Sequence, residues 1–225
     1  MSLLDHKSKY VFLHNPKVAG TSIEILIGGS SHETMWGYVQ RNPTINFDEY
    51  FKFMVGRNPY DRLISVFHFL PRIPWPNKIQ KGHPGWQGQK RLFYSRVDLE
   101  GCIANFDTFI DSLDYFFDFN LVNYSPTVTK LMSPFDHLAP QHYWCCIDGI
   151  NVLDSILRFD DLDNEWARIR EKIDRHDTKL QHTNANRVDG GQMRVDQISM
   201  ETINKINEKY ELSFKTLGYK MLCRK

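Results

Sequence analysis

Two groups of residues in this chain carry the means to hold anions. The first is His14-Asn15-Pro16-Lys17-Val18-Ala19-Gly20-Thr21-Ser22. It follows a short apolar run, Tyr10-Val11-Phe12-Leu13, and precedes Ile23, Leu26 and Ile27, which recur at helical spacing. The pattern predicts strand, loop and helix. A loop that opens a helix presents unpaired backbone N–H groups and the positive end of the helix dipole, which together suit an anion. Lys17 adds a mobile positive charge, and Thr21 and Ser22 add hydroxyl donors for phosphate-like oxygens. The loop is not a Walker A motif, in which Lys directly precedes the hydroxyl residue and a glycine opens the loop. Taken alone, the same residues would also make an ordinary strand-to-helix turn with a surface lysine.

The second group follows another predicted buried strand, Phe51-Lys52-Phe53-Met54-Val55-Gly56. Arg57-Asn58-Pro59-Tyr60-Asp61-Arg62 comes next, then a helix with Leu63, Ile64, Val66 and Phe67 as its apolar residues. Pro59 suits the first turn of a helix, where its missing N–H costs nothing. Arg57 ends the strand and Ser65 lies two turns into the helix, so the pair could grip a phosphate separate from the one at Lys17.

The elements that must position these groups repeat one device: strand, polar turn with a cation, helix. If the two strands are parallel neighbours, both turns lie at the carboxyl edge of one sheet, where ligands of open α/β sheets bind. A third unit is predicted from a strand over Val152 to Phe159 and a helix from about Glu165 to Ile173, with Asp160-Asp161-Leu162-Asp163-Asn164 at its start and Trp166, Ile169 and Ile173 on its buried face. Asn105 to Asp118 reads as a helix, and its row of Asp107, Asp111, Asp114 and Asp118 reads as a solvated face rather than a metal site. Ser199 to Thr202 opens a last helix carrying Ile203, Ile206 and Tyr210. The segment Gln40 to Asp48 reads as turns.

With 225 residues the chain is expected to form a single domain with a sizeable core. Its apolar content of 41% and charged content of 24% are ordinary for a globular protein. A formal charge of +1 provides no global field to recruit nucleic acid or an anionic membrane, so anion binding must come from local clusters. Met1 to Lys9 is polar and lacks the apolar core of a signal peptide, and no run reaches the roughly 18 apolar residues that span a bilayer. The expectation is a cytoplasmic protein without a membrane anchor. The four cysteines, Cys102, Cys145, Cys146 and Cys223, form no C-x-x-C pair and read as buried thiols of a reducing compartment. His137, His142 and Cys145 match no structural zinc spacing, and no metal is expected.

From Pro71 to Gln89 the composition shifts to prolines, glycines, Trp75 and Trp86, with Lys78, Lys81, Lys90 and Arg91 within or just after it. Such a stretch cannot be a regular helix or a central strand. Residues 71–91 are expected to form a long loop on the acceptor side of the site, since long loops in compact domains are often binding loops.

The two anion motifs together resemble those of the sulfotransferases. Pro16-Lys17-x-Ala19-Gly20-Thr21-Ser22 is similar to their 5′-phosphosulfate loop, and Arg57 through Ser65, with its eight-residue step, is similar to their 3′-phosphate motif. The nearest resemblance is to the carbohydrate-type, family 2-like branch and its soluble bacterial members. Further shared features are His137-Leu138-Ala139-Pro140-Gln141, His182-Thr183-Asn184, and the ending from Tyr210 to Leu217-Gly218-Tyr219. The resemblance implies an α/β fold, three-layered and P-loop-like, with a central parallel sheet flanked by helices. It implies transfer of a sulfuryl group from 3′-phosphoadenosine 5′-phosphosulfate (PAPS), without a metal, to a hydroxyl of an acceptor such as a saccharide. Lys17 with Ala19, Gly20, Thr21 and Ser22 would hold the phosphosulfate, and Arg57 with Ser65 the 3′-phosphate. Arg187, in the polar loop after His182, would reach the nucleotide by position alone.

The group that takes the acceptor's proton lies, in related sugar sulfotransferases, between the two motifs. His32 is therefore the first candidate base, with Glu33 beside it and His68 in the second helix as alternatives. His137 and Gln141 are expected to help shape the acceptor site. Two other readings of the same anion chemistry are a nucleotide kinase or NTPase, which the missing Walker A disfavours, and a non-catalytic nucleotide-binding relative. The sequence is silent on the acceptor's identity and on oligomeric state.

Overall fold

The apolar runs at Tyr10 and Phe51 form adjacent parallel strands whose alternate residues bury on opposite faces. A computed structural model describes residues 3–29, 32–72, 99–113, 137–176, 179–180 and 193–223. Its main sheet has four strands in the order β1 (Leu4–Asp5), β2 (Tyr10–Leu13), β3 (Phe51–Gly56) and a later strand, Ser155–Arg158, that becomes β6 in chain order. The β2–β3 and β3–β6 pairs are parallel and the β1–β2 pair is antiparallel. Tyr10, Phe12, Phe53, Val55 and Leu157 pack on one face with Ile23, Trp166, Ile169 and Ile173. Val11, Leu13 and Met54 pack on the other with Met35, Tyr38, Trp144 and Leu217. Side chains of a strand alternate between faces, so a sheet covered on both sides reads as the continuous apolar runs seen here. The architecture is α/β, with the sheet between helical layers.

The helices follow the strands as the spacing predicts. Helix α1 spans Gly20–Ile27, and α3 spans Pro59–Phe67 with Pro59 in its first turn. Asn58 caps α3 by accepting from the Tyr60 N–H at 3.0 Å. Between them lies α2, Met35–Arg41, whose last two residues fall in the segment Gln40 to Asp48 that reads as turns. Thr34 caps α2 by accepting from Gly37 N–H at 3.1 Å, and Gly37 inside the helix is what obscured it in the sequence. Two short helices follow, α4 (Leu99–Cys102) and α5 (Phe106–Asp111). The helix expected over Asn105 to Asp118 is thus seen from its Asn105 cap to Asp111, while residues 114–118 lie outside the described residues.

Helix α6 (His142–Cys145) leads into a hairpin, β4 (Cys146–Ile147) and β5 (Ile150–Asn151). Strand β6 is shorter than the predicted span from Val152 to Phe159. Asp154 precedes it with its carboxylate accepting from Lys52 N–H at 2.7 Å, and a 3-10 turn, Phe159–Asp161, ends it. Helix α7 is Leu162–Ile169, continued as a 3-10 turn to Ile173, and α8 is Met200–Leu217, capped by Ser199 and closed by Gly218 at φ 69°. Helices α3, α5 and α8 enclose a further core of Leu63, Val66, Phe109, Ile206, Tyr210 and Phe214.

The N-terminal segment differs from its polar reading. Leu3 is buried and Leu4 pairs with Val11, so two leucines suffice to add an antiparallel edge strand. Among the described residues no helix is long and apolar enough to cross a membrane.

Candidate active site

Parallel register brings the two motifs together. Leu13 pairs with Met54 near the end of each strand, so the chain leaves β2 and β3 side by side. The loop after β2 holds two non-glycine residues in the left-handed region, Lys17 at φ 69° and Ala19 at φ 62°. Such backbone costs on the order of 1–2 kcal/mol per residue and persists only where the surroundings enforce it. They do so here. Asn15 Nδ2 donates to Val55 O at 2.9 Å, Arg62 Nε to Pro16 O at 3.0 Å, and Arg57 Nη1 to Lys17 O at 3.0 Å. Ala19 in the left-handed region followed by helical Gly20 is a backbone concavity of the kind that can gather N–H groups toward an anion. The Ser22 N–H is already engaged with Ala19 O at 3.0 Å, which leaves the hydroxyl of this buried residue for the role expected of it.

The second motif is joined to the first. Besides reaching Lys17, Arg57 lies over the Phe159 ring at 4.3 Å. Burial pulls its guanidinium below the ordinary arginine value, against the opposing pull of Asp61 and Asp160, and its Nε is buried with no hydrogen-bond partner among the described residues. A guanidinium remains charged in a protein. The backbone of Arg57 is clasped by one side chain: Gln141 Oε1 accepts from its N–H at 3.0 Å, and Gln141 Nε2 donates to its carbonyl at 2.6 Å. This corrects the acceptor-side role expected of Gln141. The residue is fully buried and holds the end of β3. Ser65 is buried in α3.

Arg62, 1% exposed, also donates from Nη1 to Ala139 O at 2.9 Å, so one guanidinium ties the first anion loop to the segment before α6. The terminal tyrosines serve the same scaffold: Tyr210 Oη donates to Leu138 O at 2.6 Å and Tyr219 Oη to Gly56 O at 3.2 Å. Nothing in the sequence pattern flagged Arg62 and Gln141 as the clamps, because their partners are backbone atoms far away in the chain.

A run of rings connects Lys17 to the candidate base. Lys17 Nζ stands 4.0 Å from the Phe69 centroid. Phe69 stacks on His137 at 4.8 Å and 16°. His137 meets His32 edge-on at 6.0 Å, and His32 meets His14 edge-on at 4.7 Å. His14 Nδ1 is 2.7 Å from Glu24 Oε1. The structure therefore brings Lys17, His32 and His137 into one cluster and adds Phe69 and His14, to which no role was attached from sequence. The two alternative bases lie outside this run. Glu33 is buried and paired with Arg41 of α2, and His68 ends α3 with its ring against Phe67 at 5.3 Å.

Arg187, His182-Thr183-Asn184 and residues 73–91 of the expected loop lie outside the described residues. All four cysteines are free thiols. Only Cys145 is buried; Cys102 and Cys146 are partly covered and Cys223 is exposed, which corrects the expectation of four buried thiols. Among the described residues no group of three or more His, Cys, Asp or Glu is placed to hold a metal ion.

A family model described as "Sulfotransferase family" matches residues 2–220 of the chain. No curated protein and no solved structure matches it.

Proposed function

This chain belongs to the sulfotransferase family, and from that premise we propose that it moves a sulfuryl group from PAPS to a hydroxyl of a saccharide acceptor. The observation that carries the proposal is the joining of the two anion motifs: the Arg57 guanidinium bonds the Lys17 carbonyl while its own Nε lacks a hydrogen-bond partner among the described residues. The backbone concavity at Ala19 and Gly20, with Lys17, fits the 5′-phosphosulfate. Arg57, with its orphaned donor, and Ser65 fit the 3′-phosphate. When bound, PAPS supplies an electrophilic sulfur and a phosphate that leaves with the electron pair.

The protein's own part is to position and neutralise. Lys17 and the backbone N–H groups of Gly20 and Thr21 balance the negative charge that builds on the leaving side. The contact of Lys17 with Phe69 is of a kind worth about 0.5–1 kcal/mol at exposed sites, so a bound anion can draw the ammonium away from the ring. His32 takes the proton of the acceptor hydroxyl, a contribution typically worth about 10²–10⁴ in rate.

The test is incubation with PAPS and a saccharide panel, with release of 3′-phosphoadenosine 5′-phosphate (PAP) and sulfated product read by mass spectrometry. Product that disappears in Lys17→Ala supports the proposal. Phosphate release from ATP and Mg²⁺ without PAP formation would replace it with the phosphoryl-transfer reading. Tight PAP binding with no product from any acceptor would leave a non-catalytic relative.

A further inference from the structure

The innermost member of the ring run is His14, and three observations set it apart from a packing residue. Its side chain and that of Glu24 are 8% and 10% exposed, yet they form an imidazole–carboxylate contact of 2.7 Å. Burying such a pair is costly, and apolar side chains of similar volume would fill the space at no loss of stability. The fold also leaves room for this ring: a Cβ on Gly20 would stand 2.0 Å from His14 Cδ2 and 2.3 Å from Nε2. Finally, the ring of His32 meets His14 at 4.7 Å and 83°. The edge of His14 that carries Nε2 thus lies on the residue that opens α1, in the middle of the anion loop.

We propose that Glu24 and His14 are positioning residues for His32: Glu24 fixes the tautomer of His14, and the pair orients the His32 ring and stabilises it while it holds the acceptor's proton. The inference rests on the sulfotransfer reading above. A carboxylate is an acceptor only, so a neutral His14 must carry its proton on Nδ1, toward Glu24, and leave the Nε2 lone pair facing the loop. A histidine oriented by a carboxylate through its other nitrogen is a recurring way to set the tautomer of a working imidazole and raise its basicity. Among the described residues the contacts around His32 bring in these charged and titratable groups: His14 and Glu24 from β2–α1, His137 from the segment before α6, Lys17 across Phe69, and the neighbouring Glu33 held by Arg41. Of these, Glu24 is the carboxylate in contact with the ring run, and its charge reaches His32 through His14.

The test uses the full chain labelled with ¹⁵N-histidine, wild type and Glu24→Gln. Long-range ¹H–¹⁵N spectra report the tautomer of each imidazole, and PAP release from PAPS with the saccharide panel reports turnover. The wild type is expected to hold His14 as the Nδ1–H tautomer. Glu24→Gln keeps the shape of the side chain but removes its charge and can either donate or accept. It is expected to change the His32 signals and lower kcat about 10- to 100-fold, the usual effect of such supporting carboxylates, with PAP affinity within about twofold of the parent. Wild-type His14 as the Nε2–H tautomer would overturn the inference without any variant. Unchanged kcat and unchanged His32 signals in Glu24→Gln would also overturn it, as would a loss confined to PAP affinity. A wild-type protein that releases no PAP from PAPS would overturn the sulfotransfer reading, and this inference with it.

Discussion

Gly20→Ala is the substitution whose consequence follows most directly from the geometry. Gly20 opens α1 with no left-handed backbone requirement, so alanine is acceptable there on conformational grounds. Such a Gly→Ala change would ordinarily stabilise by about 0.4–1 kcal/mol. The obstacle is steric. The new Cβ would lie 2.0, 2.3 and 2.7 Å from Cδ2, Nε2 and Cγ of His14, far inside the ordinary contact range that begins at 3.4 Å. The ring must therefore retreat by more than an ångström, but Glu24, Phe12 and His32 hold it in place. Overpacking costs about 1–3 kcal/mol, and a hydrogen bond to a charged group is worth about 1.5–3 kcal/mol. The expected net loss is about 2–5 kcal/mol. In a chain of this length each kcal/mol shifts Tm by about 2–4 °C, so Tm should fall by about 4–20 °C. The assay is thermal and urea unfolding of Gly20→Ala, His14→Ala and the double variant. Removing the ring should relieve the clash, so the double variant should be less destabilised than the sum of the singles by at least about 1 kcal/mol. A Gly20→Ala protein as stable as the parent, or additive effects in the double variant, would refute the close approach of His14 to the loop.

Other expectations follow from the same contacts. Gln141→Leu leaves both the N–H and the carbonyl of Arg57 without their partner, at about 1–3 kcal/mol for each buried group; a variant with unchanged urea midpoint would show that the clasp contributes nothing. Lys17→Ala should lower turnover by about 10²–10³, the usual loss on removing a group that stabilises developing negative charge. Arg57→Ala should chiefly weaken PAP binding, by about 10- to 100-fold for a lost charge-assisted contact; measured kcat and Kd that reversed this division would exchange the two roles. His142 is held by Ser213, with 3.0 Å between Nδ1 and Oγ, and burial pulls its pKa down to about 4 from the ordinary 6.5. Between those values the unfolded chain binds the proton and the folded chain does not. The penalty for keeping the ring unprotonated is therefore absent above about pH 6.5 and grows as pH falls toward 4, costing about 3 kcal/mol of stability by then. His142→Asn should flatten that part of the stability–pH curve relative to the parent, and two parallel curves would contradict it.

The sequence made the positions of the proposed anion-binding groups legible because they sit where apolar strands give way to helices. Tyr10 to Leu13 and Phe51 to Gly56 are buried on both faces, and such strands read as unbroken apolar runs. The turns after them were then fixed by Lys17, Gly20, Arg57 and Pro59. The edge strand at Leu4–Asp5 was hidden because two residues carry too little pattern to register. Helix α2 was hidden by its internal glycine and its seven-residue length. The clamps were illegible for a different reason: Arg62 and Gln141 bond to main-chain atoms, and main-chain atoms have no residue signature. His14 stood in plain view within the loop, but its role depends on Glu24 one helix turn beyond Gly20 and on the missing Cβ at Gly20. Only the folded geometry brings those three together.

The most direct test of the central claim is thermal unfolding with PAP, set against ADP and ATP with and without Mg²⁺. A ligand at about a hundred times its Kd adds about 2.7 kcal/mol, or about 5–10 °C in a chain of this size. If Lys17 and Arg57 hold the two phosphate ends of one nucleotide, PAP alone should produce that shift without metal. A shift with ATP and Mg²⁺ and none with PAP would contradict the assignment of the site.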